Sequence, residues 1–285
     1  MFKGSALAAS IATLWLAASA VPAQASVTLG AVPATTPASN CTNLREDWVQ
    51  SAQTSGNSYT VPNLAGTITS WRTQTSTTPG QVWTFKVYRL VSGTTYKVVG
   101  LNGPKNLTPG ALNSFKTNIP VMPGDIIGMN DNDTTSPVST TCGYVSPGNT
   151  ISWHNGSLGN GEMAPFGSSV ADRLLNVAAT FTPQNKFTVA SVTRNRKRGT
   201  AIVTVDLPNP GQLTASGPGF RLASAAGAIS KPVAAGQTQL LVGAKGKKRR
   251  KLNRKGRCKI NLAIAYTPTS GDSRIRHAKF KLVKR

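Results

Sequence analysis

Short stretches in which apolar and polar residues alternate recur along this 285-residue chain, and they constrain its fold more than any other feature. Trp83 and Phe85, for example, fall on one side of the stretch Val82–Leu90, with polar residues between them. A period of two residues is typical of a half-buried β-strand. Turn signals such as Pro123-Gly124 separate these stretches. The sequence therefore predicts an all-β fold.

Seven strands are predicted before residue 185 and seven after it, joined by turns at the intervals typical of β-sandwiches. We therefore expect two domains, a jelly-roll-like β-sandwich over residues 26–185 and an immunoglobulin- or fibronectin-like β-sandwich over residues 186–285. The predicted strands of the first domain are Thr67–Arg72, Val82–Leu90, Tyr96–Leu101, Ser114–Ile119, Asp125–Met129, Thr150–His154 and Leu174–Thr180. Those of the second are Phe187–Thr193, Thr200–Leu207, Gln212–Ser216, Phe220–Ala223, Gln237–Val242, Arg257–Tyr266 and Ile275–Val283.

Charge divides the chain more sharply than hydrophobicity does. Residues 26–185 carry eight Lys or Arg and seven Asp or Glu, whereas residues 186–285 carry 23 Lys or Arg and two acids. The second region therefore holds a net charge of +21 out of the +23 of the whole chain. We place the domain boundary at residues 182–185, a short polar hinge between two predicted strands.

The first 25 residues have the organisation of a secretory signal peptide. Lys3 gives a short positive region, an apolar run follows over Ala6–Val21, and Ala23-Gln24-Ala25 is a small-x-small cleavage site. A permanent membrane anchor is the weaker interpretation, because polar residues dilute a run that is already short for spanning a bilayer. We expect cleavage after Ala25 and a secreted, extracellular protein, with no transmembrane segment in the mature chain.

Secretion permits disulfides, and the chain has three cysteines. Cys41 and Cys142 fall in the first predicted domain, one before its first strand and one near its last, and we expect them to form a disulfide. Such a bond would close a loop of roughly a hundred residues and contribute about 3–5 kcal/mol in the chain-entropy picture. Cys258 is left over. It begins the apolar side of a predicted strand, which favours a buried thiol over an intermolecular disulfide or a metal ligand.

Several short motifs carry a resemblance to known proteins. In the second region they are Arg196-Lys197-Arg198-Gly199-Thr200-Ala201, Pro210-Gly211-Gln212-Leu213 and Ala265-Tyr266-Thr267-Pro268. In the first region they include Ile68-Thr69-Ser70-Trp71-Arg72 and Pro123-Gly124-Asp125-Ile126-Ile127-Gly128. With these motifs, the chain resembles the paired β-sandwich domains of secreted, mostly uncharacterised actinobacterial proteins. The resemblance implies a bacterial exported protein, and it supplies no catalytic or binding residue.

The ingredients of catalysis are sparse. The chain has two histidines, of which His277 falls opposite the apolar side of its predicted strand. His154 can be imagined in a hydrolytic triad with Ser152 or Ser157 and with Asp172. No Gly-x-Ser-x-Gly elbow between a strand and a helix accompanies these residues, however. We therefore predict no enzymatic activity, no catalytic residue and no cofactor.

Two other kinds of ligand have candidate residues. Residues 130–133 (Asn-Asp-Asn-Asp) place in a row the oxygen ligands that calcium prefers, but without the spacing of a calcium-binding loop. A polar turn is therefore favoured, and no metal site is predicted. Trp48 and Trp153 lie in less regular surroundings than the other tryptophans and are candidates for a carbohydrate-binding surface. Trp71 and Trp83 are expected in the core.

The most concentrated charge lies in residues 245–259, where ten of fifteen residues are Lys or Arg and none is acidic. The preceding strand is predicted to end near Val242 and the next to begin near Arg257, so the run is expected to form a connecting loop. A solvated loop without a partner is one interpretation, and binding of an anionic polymer is the favoured one. The predicted polyanion-binding residues are Lys245, Lys247, Lys248, Arg249, Arg250, Lys251, Arg254, Lys255 and Arg257.

The compartment decides among the possible polyanions. A secreted protein rarely meets DNA, and no aromatic residue interleaves the run to stack on bases. Anionic cell-wall polymers or acidic polysaccharides are therefore the expected partners, with nucleic acid less favoured. The sequence predicts a secreted, non-enzymatic cell-surface protein that its basic domain holds near an anionic envelope. The alternative is a carbohydrate-binding module in which the basic domain is a spacer.

Overall fold

The computed structural model describes residues 25–35, 39–41, 45–132, 140–222 and 228–285, and β-strands dominate these residues. The predicted all-β fold, built from sandwiches of antiparallel sheets, is confirmed. Apart from Ala25, the predicted signal peptide (residues 1–25) lies outside the described residues, so secretion stays a prediction.

The first half of the chain contributes two sheets. Its strands are β1 (Val27–Ala31), β2 (Ser39–Cys41), β3 (Glu46–Ala52), β4 (Gly66–Gln74), β5 (Val82–Ser92), β6 (Thr95–Asn106), β7 (Leu112–Val121), β8 (Ile126–Asp131), β9 (Thr140–Asn155), β10 (Met163–Pro165), β11 (Ser168–Leu175) and β12 (Val177–Pro183). One sheet has the order β1-β12-β4-β7. The other has the order β10-β6-β5-β8-β3-β9-β11, with β2 paired to β9.

The alternation in β5 shows how the first sandwich is built. Trp83 and Phe85 point into the core between the two sheets, where Phe85 stacks on Trp71 of β4 with ring centroids 5.5 Å apart. The predicted core positions of Trp71 and Trp83 are therefore confirmed. The opposite side of β5, which carries Lys86, is also buried, because residues 157–166 lie over it.

The described residues of the second half form two four-stranded sheets and one helix. Its elements are β13 (Thr188–Asn195), β14 (Thr200–Leu207), β15 (Gly211–Ser216), β16 (Phe220–Leu222), β17 (Ala228–Val233), β18 (Gly236–Ala244), α1 (Gly246–Lys255), β19 (Arg257–Pro268) and β20 (Arg274–Val283). The sheet orders are β13-β14-β18-β16 and β17-β15-β19-β20. No helix within the described residues is long and apolar enough to cross a membrane.

The core of the second sandwich takes one apolar stripe from each sheet. In β19, every second residue from Cys258 to Tyr266 is buried, and the residues between them are half-buried or exposed. These residues share a cluster with Val203 of β14, in the facing sheet. The Cys258 thiol is free and buried, as predicted, and its burial raises its pKa.

A single buried amide joins the two halves. Asn209, which follows β14, accepts a hydrogen bond from the Ala65 backbone amide at 2.6 Å and donates to the Ala65 carbonyl at 2.8 Å. It also donates to the Gln184 carbonyl at 3.0 Å, and its own carbonyl accepts a 2.7 Å bond from the Tyr266 hydroxyl. Both hydrogens and the oxygen of the side-chain amide therefore bond to backbone groups of the first half and of the predicted boundary at residues 182–185.

Several strands were missed or wrongly bounded by the sequence prediction. β3 lies between β8 and β9 in the middle of its sheet, but it begins with two acids, which are rarely buried. β17 contains Pro232, which an edge strand tolerates. The stretch Leu174–Thr180, predicted as one strand, is divided between β11 and β12. Because β17 was missed, the sequence predicted seven strands in the second sandwich, and its described residues form eight.

The predicted disulfide between Cys41 and Cys142 stays a prediction, because the side chain of Cys41 lies outside the described residues. The backbone register is nevertheless compatible with it. Cys41 of β2 pairs with Thr140 of β9, two residues before the buried Cys142 on the same strand.

Candidate polyanion-binding surface

The basic run does not form the predicted loop. It forms the helix α1, which ends at Gly256 in a left-handed backbone conformation (φ 65°) that glycine adopts readily. Leu252 is 3% exposed and anchors the helix to the second core. The loop prediction was wrong because one buried residue among ten leaves no visible amphipathic period. Lys and Arg are, however, good helix formers.

Helical geometry sorts the charges of α1 onto two faces. Lys247, Arg250 and Arg254 are spaced by three and four residues, so they share the exposed face opposite Leu252. We call these three residues the helix stripe. Lys248 is half-buried on another side of the helix, which faces β19.

A groove with a volume of about 910 Å³ lies where α1 meets β19 and β20. Among the described residues, six bases and no acid line this groove, which we call the basic groove. Its lining consists of Lys248 and Lys251 from α1, of Arg257, Cys258, Lys259, Ile260 and Asn261 from β19, and of Lys279, Phe280 and Lys281 from β20.

In the part of the chain that the structure describes, no carboxylate neutralises these charges. No Lys or Arg of the second half pairs with a carboxylate among the residues that the structure describes. Lys247 and Lys248 lie near the N-terminus of α1, where the helix dipole disfavours a cation by about 0.3–1 kcal/mol. Like charges four residues apart, such as Lys247 and Lys251, add about 0.2–0.5 kcal/mol per pair. An anion bound from outside would relieve these penalties.

The nine predicted polyanion-binding residues, Lys245 to Arg257, all lie on α1 or at its ends, and all except Lys248 are exposed. The prediction omitted Lys259, Lys279 and Lys281, which the pairing of β19 with β20 brings into the basic groove. The period of two already puts these three lysines on the solvent side of their strands. Their proximity depends on a cross-strand register that no single-sequence pattern gives.

The first half contains a buried polar site of a different kind. Lys86 Nζ lies 2.6 Å from Asp47 Oδ1, and both side chains are fully buried. Lys86 also donates to the Leu158 carbonyl at 2.7 Å and to the Ser157 hydroxyl at 3.1 Å, and the Leu158 amide donates to Asp47 Oδ2 at 2.9 Å. All three ammonium hydrogens therefore have acceptors. The pair fastens residues 157–158 onto the outer face of the sheet.

Burial dominates the electrostatics of this pair. It raises the pKa of the Asp47 carboxyl, although Lys86 and hydrogen bonds act in the opposite direction. It likewise lowers the pKa of the Lys86 amine, against the attraction of Asp47. The charged form of each group is thus stabilised mainly by the other group, because water does not reach either of them.

The residues of the possible hydrolytic triad each contact other groups. Ser152 donates to a neighbouring serine hydroxyl at 2.7 Å, and Ser157 accepts from the buried lysine. Asp172 accepts from a backbone amide at 2.8 Å. The ring of His154 lies 6.0 Å from that of Phe166. The absence of enzymatic activity stays a prediction.

Residues 130–133, the row of possible calcium ligands, do not all lie in an exposed loop. Asn130 and Asp131 are fully buried at the end of β8, where Asp131 accepts a hydrogen bond from the backbone amide of Glu46. Asp133 lies outside the described residues. Within the described ranges, no group of three or more His, Cys, Asp or Glu is arranged to hold a metal ion.

The prediction that Trp48 lies on a binding surface is wrong. Its side chain is 5% exposed and belongs to the first core, because β3 is a central strand. Trp153 is half-buried and packs on Trp48, with ring centroids 4.9 Å apart. The two tryptophans therefore form an internal pair and do not make an open platform for a sugar ring.

Fold and surface together describe an all-β sandwich protein with one strongly basic half. No family model and no curated protein matches the chain. Among solved structures, a β-D-glucuronidase from Dictyoglomus thermophilum shares 13% identity at a TM-score of 0.21, over 90% of this chain and 44% of the enzyme. The chain thus spans less than half of that enzyme's length, and a likeness at this TM-score carries no argument.

Proposed function

We propose that this protein is a secreted, non-enzymatic surface protein whose second sandwich binds anionic polymers of the cell envelope. The observation that carries the proposal is the basic surface formed by the helix stripe and the basic groove. Its charges find no acidic partner among the described residues, which leaves them available to bind an external anion. Contacts of this kind displace counterions from the polymer and steer its approach over a distance.

Secretion is the second component of the proposal. The predicted signal peptide over residues 1–25 supports it, and Cys41 and Cys142 of an exported chain would be oxidised to a disulfide. A peptide map made without reduction tests the pairing. It is expected to recover one peptide pair joined through these two cysteines and a Cys258 peptide that is alkylated only after unfolding.

Binding of the purified protein to immobilised linear polyphosphate tests the main proposal. Affinity is expected to fall steeply as salt rises, in the manner of counterion release. The variant K247Q/K248Q/R249Q/R250Q/K251Q is expected to show a shallower dependence on salt and a melting temperature no lower than that of the unmodified protein. Glutamine is chosen because it neutralises the charges and preserves helix propensity.

Two controls make this experiment specific. Neutral dextran should not bind at any salt concentration. The variant K97Q/K116Q, which removes exposed charges from the first sandwich, should bind polyphosphate as the unmodified protein does. Affinity that is independent of salt, or equal salt dependence in the helix variant and the unmodified protein, would contradict the proposal.

A further inference from the structure

We propose that the basic groove is a specific site for a linear chain of phosphate groups and that it contributes more affinity than the helix stripe does. This inference rests on the proposed function and deepens it, because it names the chemistry of the polymer and the place where it binds.

The β-sheet holds the charges of the groove close together. Lys259 of β19 lies directly opposite Lys281 of β20, and Asn261 lies opposite Lys279. Side chains directly opposite each other on adjacent strands have Cβ atoms about 4.5–5.5 Å apart, and diagonal neighbours are about 7–8 Å apart. Like charges in these positions destabilise a sheet. Facing lysines that lower the stability of the sheet, and that have no acidic partner among the described residues, are expected where a bound anion supplies the opposite charge.

The helix closes the other side of the groove. Lys248 and Lys251 lie close enough to the Cys258 thiol to oppose the rise in its pKa that burial causes. Leu252 fixes the helix to the core, and Lys284 Nζ donates to Asn253 Oδ1 at 3.0 Å. Both walls are therefore parts of the folded sandwich, whereas the helix stripe is one exposed face without an opposing wall.

The kind of cation favours phosphate over carboxylate. Five of the six bases in the groove are lysines, which act as compact point charges and respond to the charge density of a ligand. Planar carboxylates are typically recognised by the fork of an arginine, and the groove contains only Arg257. Phe280 is 8% exposed, so it presents little ring surface on which a base or sugar could stack. A volume of about 910 Å³ is also that of a ligand site.

Two variants that each remove three charges separate the groove from the stripe. The groove variant is K259Q/K279Q/K281Q, and the stripe variant is K247Q/R250Q/R254Q. Binding of a short linear polyphosphate and of a glycerol phosphate oligomer is measured by calorimetry. The affinity of the groove variant is expected to fall about tenfold, because each of three exposed ion pairs contributes a modest amount of binding energy. The affinity of the stripe variant is expected to fall by a smaller factor. One-to-one stoichiometry with the short chain is expected in the unmodified protein.

Acetylation of lysines with an N-hydroxysuccinimide ester, read by mass spectrometry, gives a second measurement that needs no variant. Bound polyphosphate is expected to protect Lys259 and Lys281 more than Lys247. Tighter binding of polyphosphate or the phosphodiester oligomer identifies which linkage the groove prefers. An oligogalacturonate with the same number of charges should bind more weakly than either.

The outcomes separate this inference from the proposed function. Absence of binding to every polyanion would overturn both. Equal losses in the two variants, equal protection of the three lysines, or preference for the oligogalacturonate would overturn the groove site alone. A single-stranded oligonucleotide that binds much more tightly than the glycerol phosphate oligomer would show base recognition and would likewise overturn it.

Discussion

The two sandwiches deal with charge in opposite ways. The first has about as many acids as bases and buries several of them, including Asp47, Lys86 and Asp125. The second has 23 bases and two acids, and no charged residue of its described part is buried. Asp125 illustrates the first strategy, since it accepts two hydrogen bonds from Arg89 at 2.8 and 3.0 Å. The buried Asp47 and Asp125 are each paired with a base of the first sandwich, whereas no base in the described part of the second pairs with a carboxylate.

This difference indicates what each set of charges does. A buried pair such as Lys86 and Asp47 fixes the positions of the segments that it joins, because each charge is tolerated in the interior only when the other is in place. Exposed like charges contribute little to the fold and oppose it slightly, so their value lies in contacts outside the molecule. Removing a buried, paired charge from the first sandwich is therefore expected to lower its stability, whereas removing an exposed charge from the second is expected to raise it slightly.

The largest effect is expected from Lys86→Met. This change leaves Asp47 buried without its partner, and removal of one member of a buried pair typically costs about 3–5 kcal/mol. Urea unfolding followed by tryptophan fluorescence measures the loss. The double variant K86M/D47N, which removes both charges, should be less destabilised than Lys86→Met alone. A single variant as stable as the unmodified protein would show that burial of this pair is not energetically important.

Leu252→Ala tests whether an apolar contact, and not charge, holds the basic helix in place. Truncation of a buried leucine costs about 2–5 kcal/mol, and this value should fall at the lower end because the helix lies at the surface. The Cys258 thiol beside α1 should then react faster with a thiol reagent under native conditions. As a control, Lys247→Gln on the exposed face should leave this rate unchanged. Unchanged thiol reactivity in Leu252→Ala would mean that the anchor is elsewhere.

Tyr266→Phe should reveal an alkaline weakness of the second sandwich. Burial raises the pKa of Tyr266 to about 12, above its value of about 10 in an unfolded chain. The resulting stability is present below pH ~10 and is lost as the pH rises toward ~12. The variant also loses the bond to the Asn209 carbonyl, which contributes about 1 kcal/mol. The difference in unfolding free energy between the two proteins should therefore narrow from pH ~9 to pH ~11.5. A constant difference would contradict the raised pKa.

The smallest effect, and the only gain, is expected from Lys281→Gln. This change removes one of two like charges that face each other across β19 and β20, so the free energy of unfolding should rise by about 0.2–1 kcal/mol at low salt. High salt should abolish the gain, because it screens the repulsion. Lys116→Gln in the first sandwich, whose cross-strand partner is Ser70, is the matched control and should change stability little. A loss of stability in Lys281→Gln would break the contrast between the two halves.

Some features of this molecule could be predicted from local pattern, and others could not. The alternation in Val82–Leu90 was sufficient to predict a strand and the burial of Trp83, because side-chain period follows directly from strand geometry. β3 could not be found in this way, since the burial of Asp47 depends on Lys86, which is 39 residues away. Trp48 was misplaced for the same reason, because its burial follows from the central position of β3.

The candidate site shows the same division. Composition located the basic surface, and the nine residues of the run do lie together. The helical state of the run depended on one apolar residue, Leu252, meeting a core built from distant strands. The basic groove required the register of β19 against β20, which places Lys259 opposite Lys281. Neither contact is visible in a window of the sequence.

The Asn209 junction also has a mechanical meaning. If the second sandwich is held on a surface, a force on the first reaches the anchor through the chain at residues 184–186 and through the Asn209 side chain. The bonds from this amide to Ala65 and Gln184 lie beside the covalent connection, so they share its load. An aspartate at this position would turn an oxygen toward two carbonyls. The first sandwich would then lose the bonds that share the load with the chain, with no change in the strength of the anchor.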